Sequence, residues 1–314
     1  MDHPLHKEAP LIAIVGPTGS GKSALALQIA RRFTGEIVNC DSVQIYRHFD
    51  IGSAKTPPGE RYGVPHHVID VAEPSDVFTA GEYSRIARLV LHDIAARDRL
   101  AVVTGGTGFY LRALIDGLAP GPERNEMLRE RLLAREQRRP GSLHVLLRRF
   151  DRLTALRIHA NDIPKVMRAV EICLTSRLPA AEVFAGGRDP LTGFRVLKIG
   201  LFPNREQLYQ RLEARLNAMF EYGIVEETRS ILAAGWPESS KPFESIGYKQ
   251  ALQLVKGELT LKEALYYARR DTRHYAKRQM TWFRQEKGLE IFPGFGEEIA
   301  TAAAVEARVE RFLG

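Results

Sequence analysis

Residues 16–23 read Gly-Pro-Thr-Gly-Ser-Gly-Lys-Ser and follow directly on the apolar run Leu11–Val15. The spacing G-x-x-x-x-G-K-[ST] between a strand and a helix is that of a phosphate-cradling loop. Gly16, Gly19 and Gly21 let backbone N–H groups turn inward around phosphate oxygens, with Pro17, Thr18 and Ser20 between them. Lys22 supplies a cation for terminal phosphates, and the Ser23 hydroxyl suits Mg²⁺. A helix beginning near Lys22 adds its positive dipole end. The stretch Ala24–Ala30 is a good helix former, as the motif requires. These residues predict a bound di- or triphosphate without specifying a nucleotide.

Other groups can join that site. Asp41 closes the run Glu36–Asp41 and heads Asp-Ser-Val-Gln-Ile-Tyr (41–46). A carboxylate at a strand end beside a phosphate loop either holds Mg²⁺ or takes a proton from a nucleophile. It also commonly caps a turn. Gln44 and Tyr46 suit contact with a base edge or a sugar. Gly105-Gly-Thr-Gly108 marks a tight turn and offers the Thr107 hydroxyl. Arg211 and Arg215, at i and i+4, either pair on the surface or clamp a diphosphate with their planar forks. Arg269, Arg273 and Lys277 repeat every four residues, with Tyr275, Trp282 and Arg284 nearby. That stripe suits an RNA backbone or a solvated helix face.

Strands expected at Leu11–Val15, Glu36–Asp41, Leu100–Thr104 and Phe194–Leu201, and a short apolar segment at His67–Val71, position these groups. Helices expected at Thr79–Arg97, with Thr79 as N-cap, and at Phe109–Ile115 separate them. The alternation predicts an α/β fold: a P-loop NTPase-like, doubly wound parallel sheet, with ligands at the carboxyl ends of its strands. The phosphate loop, Asp41 and Thr107 then share one cleft. Residues 123–185 are rich in Arg, Leu and Glu and show no convincing strand. The expected organisation is a core at 1–118, a helical insertion domain at 119–195, and a second core segment at 196–314. Helical patterns at 204–233, broken near Gly223, and at Leu261–Glu286 fill that last part.

The 314 residues carry a net charge of +7, which permits a polyanionic partner. A hydrophobic fraction of 44% with 26% charged residues is that of a globular protein. No run of ~18 apolar residues exists to span a membrane, the N-terminus lacks an apolar signal core, and two cysteines make no disulfide framework or zinc site. The cytoplasm is the default location and a monomer the expected state.

Several segments in order resemble the bacterial tRNA dimethylallyltransferase (isopentenyl-diphosphate:tRNA transferase) family. They are 16–23, Asp-Ser-Val-Gln-Ile-Tyr (41–46), Asp-Ile-Gly-Ser-Ala-Lys-Thr (50–56), Pro-His-His-Val-Ile-Asp (65–70) and Gly-Gly-Thr-Gly-Phe-Tyr (105–110). Asn161-Asp162 with Arg168-Ala-Val-Glu171, Ser-Ile-Gly-Tyr-Lys-Gln (245–250) and Thr272–Arg284 continue the series. The resemblance implies transfer of a dimethylallyl group from its diphosphate to N6 of the adenine 3′ of the anticodon, in tRNAs reading codons that begin with U. Mg²⁺ and the loop would then hold a leaving diphosphate. Thr18 to Ser23 would contact it, Asp41 would be the general base, and Ser42, Val43 and Gln44 would line the adenine site. Thr107 and Arg215 would position the diphosphate or the flipped nucleotide. Arg129, the segment Pro164, Lys165, Val166, Met167 and Arg168, and the segment Glu244, Ser245, Ile246, Gly247, Tyr248 and Lys249 match segments that touch tRNA. The insertion would grip the anticodon stem-loop. Lys165 stands where relatives commonly carry Arg, and Gly19 where Ala is frequent.

Two other readings use the same loop. A small-molecule or nucleoside kinase would bind ATP there and let Asp41 activate a hydroxyl. An RNA-binding, NTP-dependent switch would need a second acidic strand end and a base-recognition motif.

Overall fold

The computed structural model describes residues 8–314. Six strands form one all-parallel sheet: β1 (Ala9–Val15), β2 (Gly35–Asn39), β3 (His66–His67), β4 (Leu100–Gly105), β5 (Phe194–Leu201) and β6 (Leu289–Phe292), in the order β3-β2-β4-β1-β5-β6. Parallel neighbours need crossovers. Helices α1 (Lys22–Arg32), α2 (Ala80–Ala96) and α3 (Gly108–Ile115) lie along the first half of the chain.

The run Leu11–Val15 is apolar without interruption because β1 is covered on both faces. Leu11, Ala13 and Val15 enter one core with Tyr83, Leu91 and Val103, whereas Ile12 and Ile14 enter a second with Leu25, Ile29 and Val305. This period of two is the pleat of the strand. β3 is shorter than the expected segment, and Val68 and Asp70, at φ 58° and 54°, turn the chain away.

Residues Asp116–Pro190 form a compact unit of their own. It contains α4 (Glu126–Arg138), α5 (Ser142–Phe150), α6 (Arg152–Arg157), α7 (Ile163–Ser176) and α8 (Ala180–Ala185), packed on Leu132, Leu143, Leu147, Val166 and Val170. Its limits lie a few residues earlier than 119–195. The Leu191 N–H donates to the Ile115 carbonyl at 2.9 Å, and β5 already runs at Phe194.

The chain then forms α9 (Arg205–Tyr222), α10 (Ile224–Ala233), α11 (Tyr248–Val255), α12 (Leu261–Arg284) and α13 (Ile299–Leu313). The expected cap of α2 and the expected break near Gly223 are in place. Thr79 Oγ1 accepts from the Glu82 N–H at 3.2 Å at the start of α2. Gly223, at φ 128°, separates α9 from α10. Thr260 and Glu263 exchange bonds as a capping box at the start of α12.

Candidate active site

Strand register brings the chemistry together. Val15 pairs with Gly105, so the phosphate loop leaves β1 beside the turn that follows β4. Asn39 pairs with Thr104, so Asp41 lies just past the same strand ends. These are carboxyl ends, where a parallel sheet collects ligands.

The loop is closely packed. Lys22 is 9% exposed, and its Nζ donates to the Pro17 carbonyl at 2.7 Å. Burial lowers its pKa to about 7; Asp41 opposes this and Arg215 adds to it. Gly21 sits at φ 83°, and a Cβ there would meet Gly296 N at 2.7 Å. That close approach is used, since the Gly296 N–H donates to the Ser20 carbonyl at 2.9 Å. The Ser20 hydroxyl itself is buried with no partner.

Arg211 and Arg215 separate into two roles. Arg215 donates to Thr18 Oγ1 at 2.6 Å, and its Nε is a buried donor with no partner among the described residues. Burial and the charge of Arg211 lower its pKa, with Asp41 opposing. Arg211 instead pairs with Glu297 and stacks on Phe295. The position beside the loop therefore belongs to Arg215.

Asp41 caps the turn it opens and does more. Its Oδ1 accepts the Val43 N–H at 2.9 Å and the Gln44 N–H at 3.4 Å. Its charge is felt by both Lys22 and Arg215. Thr107 Oγ1 accepts the Ser42 N–H at 3.0 Å and donates to Ser42 Oγ at 3.3 Å. Thr107 thus fixes the segment that carries Asp41. Gln44 donates from Nε2 to the carbonyls of Ser53 and Ala54, at 3.0 and 3.2 Å. Lys55, 9% exposed, steadies that loop by pairing with Asp50 and Asp70 and donating to the Tyr46 carbonyl. Tyr46 is 2% exposed and sends its hydroxyl to the Asp76 carbonyl, so it is a core strut rather than a base or sugar contact.

The segments expected to meet RNA differ in what they expose. In the helical unit Glu171 is fully buried, accepting from the Asn125 N–H at 2.8 Å, Arg129 at 3.0 Å and Arg168 at 2.7 Å. Lys165 pairs with Asp162 at 2.5 Å on the surface, and Pro164 is exposed. Val166 and Met167 lie inside that unit's core. Glu244 and Lys249 are exposed, Ser245 and Ile246 are half-buried, and Gly247 is held by Gln250. Tyr248 is fully buried, donating to Glu227 at 2.6 Å and accepting from the Gly52 N–H at 3.0 Å. Of these stretches Pro164, Lys165, Glu244 and Lys249 are the exposed members. The basic stripe also divides: Arg269 and Arg273 pair with Glu213, whereas Lys277 and Arg284 are exposed and have no ion pair among the described residues.

Gln279 was not singled out by its type. It is 5% exposed on α12, accepts the Thr18 N–H at 2.8 Å and donates to the Gly106 carbonyl at 2.8 Å. The signal for it was positional: a polar residue on the face that buries Ala268, Thr272, Ala276 and Phe283.

Among the described residues no cluster of three His, Cys, Asp or Glu side chains could hold a metal. The hard oxygen donor the loop offers is the exposed Ser23 hydroxyl. That single donor fits Mg²⁺, which takes one or two protein ligands and completes its shell with phosphate and water.

A phosphate loop, a buried arginine and a carboxylate at adjoining ends of a parallel sheet define a P-loop-like α/β protein. The IPP transferase family model matches residues 44–286. Similar chains include tRNA dimethylallyltransferases of Solibacter usitatus, 60% identical over 97% of this chain and 99% of that one, and Koribacter versatilis, 54% identical over 92% and 94%. A tRNA isopentenylpyrophosphate transferase structure from Bacillus halodurans is 33% identical at a TM-score of 0.71, covering 96% of each chain. A structure of a eukaryotic dimethylallyltransferase acting on tRNA has a TM-score of 0.82 at 27% identity, covering 97% of this chain and 79% of that one. The chain belongs to the IPP transferase family of tRNA-modifying prenyltransferases. The comparisons support this activity and not the kinase reading. Among the described residues no helix is long and apolar enough to cross a membrane.

Proposed function

We propose that the chain transfers a dimethylallyl group from dimethylallyl diphosphate to N6 of the adenine 3′ of the anticodon. The allylic C–O bond breaks, the C–N bond forms, diphosphate leaves, and the N6 proton passes to Asp41. The observation that carries this is the buried, unpartnered Nε of Arg215 beside the phosphate loop. An orphaned donor costs about 1–3 kcal/mol, a cost that an anion at this position removes.

Lys22, Arg215 and the loop N–H groups stabilise charge that grows on the leaving diphosphate. Ser23 is the group that would hold Mg²⁺, which would supply further neutralisation of that diphosphate when bound. Adenine N6 is a poor nucleophile because its lone pair is delocalised into the ring. A base at Asp41 offsets this. The adenine must leave the anticodon stack to arrive here, as bases that undergo chemistry do. The Thr107–Ser42 bonds hold the segment that meets it. A tRNA substrate supports a cytoplasmic location.

The test is label transfer from radiolabelled dimethylallyl diphosphate to unmodified tRNA, with Mg²⁺ and without ATP. Label in tRNA that disappears when the adenine beside the anticodon is changed is the expected result. No transfer, with phosphate transfer on adding ATP, would overturn the reading.

A further inference from the structure

The two halves of the site are joined by one side chain. Arg215 bonds Thr18 Oγ1 at 2.6 Å, and the Thr18 N–H bonds Gln279 Oε1 at 2.8 Å. Gln279 Nε2 continues to the Gly106 carbonyl at 2.8 Å, and the next residue, Thr107, holds Ser42 at 3.0 Å beside Asp41. The diphosphate clamp and the base thus lie on one chain of hydrogen bonds, with an amide from a distant helix as its middle link. Only an amide of this length serves, since one end must accept and the other donate.

The turn is shaped to receive it. A Cβ on Gly106 would overlap Gln279 Nε2, and one on Gly108 would overlap the indole of Trp282, one helical turn further along α12. Thr18 spends its N–H on Gln279, so its amide is set by α12 rather than left to solvent. Gln279 is buried and makes both bonds inside the protein.

We propose that Gln279 is a positioning residue for the transfer, setting the phosphate loop against the Gly106–Thr107 turn so that the allylic carbon meets adenine N6 in line. This rests on the transferase reading above. A shift of about 1 Å between reacting groups costs on the order of a hundredfold in rate, whereas each substrate keeps its own contacts.

The experiment compares wild type with Gln279→Met, which keeps the volume and loses both bonds, and Gln279→Glu, which keeps the acceptor and loses the donor. Gly106→Ala attacks the same link from the other side and covers the case in which a Gln279 variant does not fold. Single-turnover transfer is measured with both substrates saturating, beside the affinities for inorganic diphosphate and for tRNA. The expected result is a saturating rate lower by about ten- to a hundredfold, with either affinity changed by less than about threefold. An unchanged saturating rate in folded variants, or a loss carried wholly by the affinities, would overturn the proposal. Wild-type enzyme that transfers no label speaks against the transferase reading instead, so the two failures are distinct.

Discussion

The guanidinium of Arg215 donates to the hydroxyl of Thr18 at 2.6 Å while its Nε lies buried without a partner. One arm of the fork thus fixes the phosphate loop while Nε makes no bond among the described residues. Arg215→Lys retains the charge and loses the fork. Affinity for inorganic diphosphate is expected to fall by about 1.5–3 kcal/mol, the value of a hydrogen bond to a charged group. Titration calorimetry checks it. Equal affinity in wild type and variant would return Arg215 to a purely structural role. Arg211→Lys, altering a group paired with Glu297, should change that affinity far less.

Asp41→Asn separates the turn from the base. The amide oxygen still accepts the Val43 and Gln44 N–H groups that Oδ1 holds now. It cannot take a proton at neutral pH. Transfer is expected to slow by about 10²–10⁴-fold, the range of a general base, with tRNA affinity nearly intact. Filter binding and single-turnover rates decide the matter. Lost binding with normal turnover of bound tRNA would assign Asp41 to recognition alone.

The sheet, the phosphate loop and the break at Gly223 were legible because each has a local cause: an unbroken apolar run, a fixed glycine spacing, a residue that tolerates φ 128°. The helical character of 123–185 was equally plain. What the sequence left open was pairing at long range. Arg211 and Arg215 share spacing and type, and only the placement of Glu297 and Thr18 assigns one to each. Tyr46 resembles a ligand contact until its hydroxyl is found on the Asp76 carbonyl. Gln279 lies 261 positions from Thr18, beyond any local pattern. β6 and α13 went unnoticed; β6 has only four residues and pairs solely at the edge of the sheet.

The basic stripe of α12 should not act as a unit. Arg269 bonds Asn217 and Glu213, and Arg273 bonds Glu213, so both cations are partly neutralised by α9. Lys277 is exposed and has no such partner. Lys277→Ala is expected to weaken tRNA binding and lower the slope of log affinity against log salt by about 0.7–0.9, one phosphate contact. Arg269→Ala should leave the slope nearly unchanged. Binding isotherms across a salt series measure both. A slope that moves with Arg269 and not with Lys277 would place the RNA on the α9 side of the stripe.

Acid should loosen the helical unit through Glu171. Burial alone would raise its pKa, but hydrogen bonds from Arg168 and the Asn125 N–H, with the charges of Arg129 and Arg168, pull it below the ordinary 4.5. A carboxyl depressed in the folded state binds more protons when unfolded. Its stabilisation is complete above the unfolded value and is lost as pH falls through the folded one. Glu136 and Asp151 in the same unit are depressed as well, their carboxylates held by the N–H groups of Leu143 and Thr154 among others. Thermal melting should therefore be nearly flat above pH 5 and fall below about pH 4.5. Glu171→Gln should melt lower near neutral pH, by about 3–5 kcal/mol if both arginines are left uncompensated, and should lose part of the acid dependence. A variant whose melting temperature tracks wild type at every pH would show that Arg129 and Arg168 do not depend on Glu171 for their placement.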